Sequence, residues 1–509
     1  MSTASAYTVT LTGVQGTVVR VEVDASPGVP GLTLVGLPDP AVREARDRVR
    51  AAITNSGGEW KACKVTASLS PASVRKRGSG MDLALACACL AAFDAVPTAA
   101  TERWVLIAEL GLDGAVRPVH GVLPMVLAAV DAGRRRLVVA ESSGGEAALV
   151  PGAEVAIAAT LGEVVGVLRG DRDPRWADAI TPDITPPDGP DLRDVHGQAT
   201  PRLAVEVAAA GGHHLLLHGS PGAGKSLLAE RLPTLLPPLT DRQVLEVTAV
   251  HSVAGALRPE RPMVVRPPFQ APHHTASAAA LVGGGVGVAR PGAVSLAHQG
   301  VLFLDEAPEF SRVVLDTLRQ PMERGQIELA RGDATVTYPA RFQLVLAANP
   351  CPCGRGGGRA LDCVCTPDQK RRYAAKLSGP LLDRVDLQVP VLPITKAELV
   401  EGLGGESSAA VRERVLLARE RARHRFADHP WSTNAEVPSD VLRSTHRLQK
   451  AGRDLVFDEV GRGRLTARGV DRVFRVAWTL ADLGGVDQPG AAEVSAAVVL
   501  RGGGLPWAA

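Results

Sequence analysis

One run constrains this chain more than anything else in it: Gly219-Ser220-Pro221-Gly222-Ala223-Gly224-Lys225-Ser226. The apolar residues 213–218 before it read as a strand, and residues 226–236 after it read as a helix. A strand, then G-x-x-x-x-G-K-[ST], then a helix is a phosphate-binding P-loop in its proper surroundings. Successive backbone N–H groups, in the loop and at the helix N-terminus, must converge on phosphate oxygens. Glycine tolerates the dihedrals and the close approach that this demands. The whole run is therefore a candidate ATP-binding segment. Lys225 is expected to reach the β- and γ-phosphates, and the Ser226 hydroxyl to ligate Mg2+.

A second apolar segment, Val301-Leu302-Phe303-Leu304, ends in Asp305-Glu306. Two carboxylates at the carboxyl end of a central strand lie where ligands bind in open α/β sheets. Asp305 is the candidate second magnesium ligand. Glu306 is the candidate base that orients and deprotonates an attacking water, so the pair points to hydrolysis rather than to binding alone. Residues 342–348 read as a third strand, whose apolar run Leu344-Val345-Leu346-Ala347-Ala348 ends in Asn349. An amide there can position the water or touch the γ-phosphate.

A length of 509 residues predicts roughly three domains. Residues 171–193 are rich in Pro and Asp without apolar periodicity and read as a linker. Before it, residues 8–14, 18–23, 105–109 and 137–140 read as strands, and 39–55 and 81–93 as helices, so residues 1–170 form an α/β domain by pattern. Residues 194–394 alternate strands and helices, which predicts a parallel sheet covered on both sides. From 395 to 509 the pattern turns helical, with 411–426 and 467–483 the best-patterned segments, and reads as a helical lid.

The net charge of +2 points to no strongly charged partner, and aromatics at 3% argue against broad base-stacking platforms. No segment approaches the ~18 apolar residues of a membrane span, and residues 1–16 lack a secretory pattern, so a cytoplasmic location without a membrane is expected. Four of the seven cysteines form two C-x-C pairs, Cys351/Cys353 and Cys363/Cys365. Four thiolates so spaced can surround a tetrahedral Zn2+, with free thiols or a redox pair as the alternatives. Arg355, Arg359, Lys370, Arg371, Arg372 and Lys376 crowd behind them and could track a phosphate backbone or form a solvated face. Cys87 and Cys89 lie in an apolar run and are expected in the core.

Asp305-Glu306, Asn349-Pro350-Cys351-Pro352-Cys353-Gly354, and Ser378-Gly379-Pro380-Leu381-Leu382-Asp383-Arg384-Val385-Asp386 together resemble the magnesium-chelatase-like AAA+ ATPases of the YifB/ComM type. Ala271-Pro272-His273-His274-Thr275 and Arg290-Pro291-Gly292 match as well, and the likeness covers essentially the whole chain. The resemblance implies that Arg384 is an arginine finger completing a neighbouring subunit's site, so the active unit would be a ring, a hexamer by that resemblance. Arg468, in Leu465-Thr466-Ala467-Arg468-Gly469, matches the sensor-2 arginine of the lid. The 80 positions between Lys225 and Asp305 would hold the helix-2 insertion of the chelatase/MCM clade. Residues 326–338 alternate around Gly332-Asp333 as a β-hairpin, which in that clade points into the ring's pore and makes Arg331 a candidate DNA contact.

Residues 74–82 and 109–119 resemble the serine loop and a later hairpin of the Lon-protease domain. Where that pattern carries its lysine, this chain has Pro124, and no lysine occurs between Lys76 and Lys225. Without an amine to act as base, a noncatalytic Lon-like domain is expected rather than a protease. The resemblance therefore implies a ring-forming ATPase that moves on DNA, of the ComM branch-migration kind. The competing reading is a chelatase-type motor that remodels a protein partner for metal insertion, and the Lon-like domain favours the first.

Overall fold

In β2 (Gln15–Ser26), Val19, Val21 and Val23 are buried while Arg20 and Glu22 are exposed, the period-2 signature of a strand with one face on a core. It pairs antiparallel with β1 (Ser2–Thr12) in a hairpin turning at Gly13. Around this hairpin the computed structural model, which describes residues 2–178, 189–285, 289–331, 334–356, 363–394 and 405–502, builds a seven-stranded mixed sheet. Its further strands are β3 (Gly31–Val35), β4 (Lys64–Ser70), β5 (Val105–Ile107), β8 (Arg136–Ala140) and β9 (Glu154–Ala158), in the order β3-β4-β2-β1-β5-β8-β9. Helix α1 (Pro40–Asn55) is capped by Asp39, whose side chain accepts from Val42 N–H at 2.8 Å, and buries Val42, Ala45, Val49, Ala52 and Ile53 at helical spacing. Helix α2 (Asp82–Ala92) is buried on every side, Cys87 and Cys89 included, as expected for core residues.

The reading of 105–109 as one strand is corrected. β5 stops at Ile107, and Glu109–Leu110 (β6) pairs instead with Val116–Arg117 (β7) in a separate two-stranded ribbon. Helices α3 (Val122–Asp131) and α4 (Leu161–Arg169) complete this unit. Residues 175–177 run along β9: Ile157 N–H donates to Arg175 O and Ala177 N–H to Val155 O, both at 2.8 Å, and Trp176 stacks on Trp104. At the other end, Leu192 is buried in the core of the second unit. Both ends of the Pro/Asp-rich stretch are thus tied to their neighbours, and residues 179–188 lie outside the described residues.

The second unit opens with α5 (Ala199–Gly211), β10 (Leu215–His218), α6 (Lys225–Leu235) and α7 (Asp241–Ala254). Edge strand β11 (Phe269–Gln270), the small ribbon β12 (Gly283–Gly284) with β13 (Arg290–Pro291), and β14 (Val301–Leu304) follow. The hairpin β15 (Gln326–Arg331) with β16 (Ala334–Pro339) precedes β17 (Gln343–Ala348), then α8 (Pro367–Ala374) and β18 (Leu387–Pro390). The order β11-β14-β17-β10-β18 is parallel throughout. Alternate side chains serve two cores: Leu215, Leu217, Val345 and Ala347 face one, and Leu216, Leu344, Leu346 and Ala348 face the other. Each such fully buried aliphatic side chain is worth roughly 1.5–3 kcal/mol, so the strands have no solvent face to give up.

Helices α9 (Ser408–Arg425), α10 (Ala467–Gly484) and α11 (Ala491–Arg501) pack into the first of those cores through Val415, Ala418, Val476, Ala477, Val494 and Leu500. A buried polar clamp ties α10 to the sheet. His213 Nδ1 lies 3.0 Å from Asp386 and Nε2 2.7 Å from the Thr479 hydroxyl, while Arg472 donates to Asp386 at 2.9 Å. The two units touch directly: α3 and α7 share a core through Val122 and Ala249, and the Glu146 carboxylate accepts from Leu123 N–H and the Ser252 hydroxyl. Val14, at the β1–β2 turn, packs with Val336 of the β15–β16 hairpin. No helix among the described residues is long and apolar enough to cross a membrane.

Candidate nucleotide site

The loop after β10 turns back over the carboxyl ends of β10 and β17, where Gly219 N–H donates to Ala348 O at 3.1 Å. Gly219 is needed for close approach, since a Cβ there would fall 2.1 Å from Val391 O. Gly222 and Gly224 have φ of +76° and +96°, and nothing lies within 4 Å of where their Cβ atoms would be, so the loop is an open cradle. Gln198, itself in the left-handed region, supports the loop from behind by donating to Ala223 O at 3.0 Å.

Lys225 is 7% exposed, and its ammonium donates to Gly219 O at 2.7 Å, Ser220 O at 2.9 Å and Asn349 Oδ1 at 3.0 Å. Burial lowers its pKa, opposed by the Asp305 and Glu306 carboxylates. The Ser226 hydroxyl donates to Asp305 Oδ2 at 2.7 Å, and Asp305 Oδ1 accepts from Glu306 N–H at 2.8 Å. A hydroxyl and a carboxylate side by side at the start of α6 are the hard oxygen donors that magnesium takes, facing a loop shaped for phosphate. The residues present therefore fit Mg2+ and a nucleotide. Glu306 sits half-exposed at φ +49°, a left-handed conformation rare outside glycine and common where backbone is held for function. Its carboxylate is 3.6 Å from His274 Nδ1.

The fold thus brings Lys225, Ser226, Asp305, Glu306 and Asn349 together. It does not bring Arg384 or Arg468 to them. β18 runs parallel to β10, with Leu215 opposite Leu387 and His218 opposite Pro390. The loop leaves the carboxyl end of β10, whereas Arg384 precedes the amino end of β18, and the four-residue strand between them alone spans roughly 13 Å. Arg384 is paired there with Glu323, and Arg468 with Asp383 at 2.8 Å. The two arginines are close enough to lower the pKa of Arg384, after burial, through mutual repulsion with Arg319 as well.

Cys351, Cys353, Cys363 and Cys365 converge within 4.8 Å of one another, directly after Asn349. Of the basic residues behind them, Arg372 pairs with Asp368 and Lys376 lies near Glu309, while Arg359 lies outside the described residues. So do Gly332 and Asp333, at the hairpin's tip, and the side chain of Arg331, the candidate DNA contact. In the N-terminal unit the Ser79 hydroxyl donates to Glu109, Pro124 is buried in α3, and the Lys76 ammonium turns away to Pro71 O. Among the described residues, the partner of the Ser79 hydroxyl is thus a carboxylate.

His274 and Gln198 carried no role in the sequence. His274 was legible only as part of a matching run, and its place four residues beyond β11, beside β14, needed the strand order. Gln198 left no signal, because its partner is a backbone carbonyl.

A five-stranded parallel sheet with a P-loop after β10, an acidic pair after β14 and an amide after the intervening β17 defines a P-loop ATPase of the AAA+ class. Residues 191–399 match the family described as Magnesium chelatase, subunit ChlI, and residues 405–501 its C-terminal counterpart. Residues 21–143 match a family described as Subunit ChlI of Mg-chelatase, so the N-terminal unit does not by itself separate this chain from chelatase subunits. An uncharacterized protein of Mycobacterium tuberculosis, Rv2897c, is 52% identical over 98% of this chain and 99% of its own length. The uncharacterized protein YifB of Escherichia coli is 42% identical over 95% and 94%, and the competence protein ComM of Haemophilus influenzae 41% identical over 96% and 95%. The chain belongs to the YifB/ComM family of magnesium-chelatase-like AAA+ ATPases, a membership that implies ATP and Mg2+.

Proposed function

We infer that the chain is a ring-forming ATPase acting on DNA, a ComM-like branch-migration helicase in the recombination of incoming DNA. The observation that carries the ring is the separation of Arg384 and Arg468 from Lys225 by the length of the parallel sheet. Arginines so placed cannot serve their own subunit's nucleotide, but in a head-to-tail assembly they meet the next subunit's. A closed ring, a hexamer by family likeness, gives every pocket such a partner.

Within one pocket the backbone N–H groups of residues 219–226 and the Lys225 ammonium hold the phosphates. Magnesium, held by Ser226 and Asp305, would supply charge neutralisation on the phosphate oxygens. Glu306 takes the proton of the attacking water, and Asn349, already bonded to Lys225, fixes the position of the γ-phosphate end. Arg384 of the adjacent subunit, freed from Glu323, neutralises charge as the bond breaks, and Arg468 of the lid follows the same pocket.

The DNA reading rests on likeness over the full chain to a protein named for competence, the state in which cells take up DNA. The β15–β16 hairpin, set between the two strands that carry Glu306 and Asn349, supports it as the element that hydrolysis would move. Such work belongs in the cytoplasm. The test is ATP turnover and strand displacement by the purified chain with and without forked or four-way DNA. Turnover should rise with DNA and strands should separate. A turnover indifferent to DNA, with no displacement, sinks this reading in favour of a motor acting on protein.

A further inference from the structure

We propose that Cys351, Cys353, Cys363 and Cys365 hold one zinc ion, and that this ion braces the phosphate loop so that nucleotide binding depends on it. The inference rests only on the nucleotide site, not on DNA as the substrate. The sulfur geometry comes first. Cys351 Sγ is 3.3 Å from Cys353 Sγ and 3.7 Å from Cys363 Sγ, and Cys353 and Cys363 are also 3.7 Å apart. Tetrahedral zinc with four thiolates at about 2.3 Å requires sulfurs about 3.8 Å apart. Gly356 N–H donates to Cys351 Sγ at 3.2 Å, the kind of second contact that steadies a metal-bound thiolate. A Cβ on Gly356 would fall 3.0 Å from the same sulfur, tight enough to push on it. All four are free cysteines, and Cys351 is fully buried.

The second observation is what the cluster touches. Cys351 follows Asn349 by two residues, and Asn349 accepts from the Lys225 ammonium. The turn closed by Gly354 N–H to Cys351 O, at 2.9 Å, rests on the phosphate loop itself. Gly354 has φ +75°, and a Cβ there would fall 2.5 Å from Pro221 Cγ. Cys365 is followed at once by Thr366, the N-cap of α8; Tyr373 of α8, and Lys376 just beyond its end, lie near Glu309. One ion would therefore join the segment after β17, the phosphate loop resting on it and α8, adding a link to α8 beyond the β10–β17 ladder. Soft thiolates without a carboxylate select zinc over magnesium, so the two metals of the chain would not compete.

The full-length protein provides the test. Elemental analysis should find one zinc per chain. Stripping it with a zinc-selective chelator in excess magnesium should weaken binding of a fluorescent ATP analogue about tenfold, ~1.4 kcal/mol, and zinc added back should restore it. Gly354→Ala should keep its zinc, since no thiol is removed, yet weaken nucleotide binding, because its Cβ and the strained turn press on Pro221. Turnover should fall on the order of 100-fold in the stripped protein, the scale of an ~1 Å misplacement at a reacting centre. A Cys363→Ser/Cys365→Ser chain should lose zinc and bind nucleotide as weakly as the stripped one. Absence of stoichiometric zinc, or iron in its place, overturns the metal assignment. A zinc-free chain that binds nucleotide unchanged overturns the brace. Failure of DNA stimulation leaves both standing.

Discussion

Lys225 is a buried cation with three oxygen acceptors, two of them carbonyls of its own loop. Those carbonyls cannot replace phosphate charge, so the ammonium is held ready rather than satisfied. Lys225→Ala should remove measurable binding of ATP in a calorimetric titration while leaving the fold, as read by circular dichroism, intact. Glu306 differs in kind. Its carboxylate makes no hydrogen bond to Lys225 or Ser226, acts on Lys225 through charge alone, and lies 3.6 Å from His274 Nδ1. Glu306→Gln should therefore bind ATP with unchanged affinity and turn it over about 100- to 10,000-fold more slowly, the range lost with a general base. Rapid hydrolysis by that variant would refute the assignment.

At the scale of elements, the sheet order decides which residues can cooperate. Because β18 and β10 run parallel, Lys225→Ala and Arg384→Ala should each be inactive alone but regain activity when mixed as unfolded chains and refolded together. The pockets restored would combine the loop of one variant with the arginine of the other, and mixtures no more active than their parts would exclude shared pockets. The clamp between sheet and lid has its own signature. Burial would raise the Asp386 carboxyl, but Arg472 and His213 more than offset this and hold it well below the usual carboxylate range. A depressed carboxylate contributes stability that is complete above its unfolded pKa of about 3.9 and is lost as pH falls below it. Asp386→Asn should lower the melting temperature at pH 7, where breaking such a buried pair costs on the order of 3–5 kcal/mol, and the gap should narrow toward pH 3.

The elements were largely legible in sequence because β10, β14 and β17 each carry an apolar run of at least three residues and α10 carries helical spacing. The acidic pair and the glycines were legible because phosphate chemistry leaves few residue choices. What stayed hidden depends on register and approach: β6 leaving the line of β5, Gly354 against Pro221, and Arg468 beside Asp383 rather than beside the loop. None of these alters a hydrophobic pattern.

For the whole molecule, the N-terminal unit is more than an appendage on a linker, since it packs on α7 and on the hairpin. Gly13 marks the contact: at φ +66°, a Cβ would fall 2.8 Å from Val336 Cγ1 and 2.9 Å from Thr337 O. Gly13→Ala should cost roughly 1–3 kcal/mol through backbone strain and speed amide exchange in residues 334–339 without changing exchange in β10. Equal protection of residues 334–339 in Gly13→Ala and in the unaltered chain would mean that the hairpin does not lean on the N-terminal unit.

The opposite placement of Lys225 and Arg384 also has a genetic meaning. In the proposed ring, a chain defective in Lys225 would spoil the pocket it carries, and one defective in Arg384 would spoil the pocket of its neighbour. A chain with both defects spoils two. Expressed beside normal chains at equal dose, the double variant should be the strongest dominant poison of the set. The same two lesions carried on separate chains should partly complement, a cis–trans difference written into the direction of one β-strand.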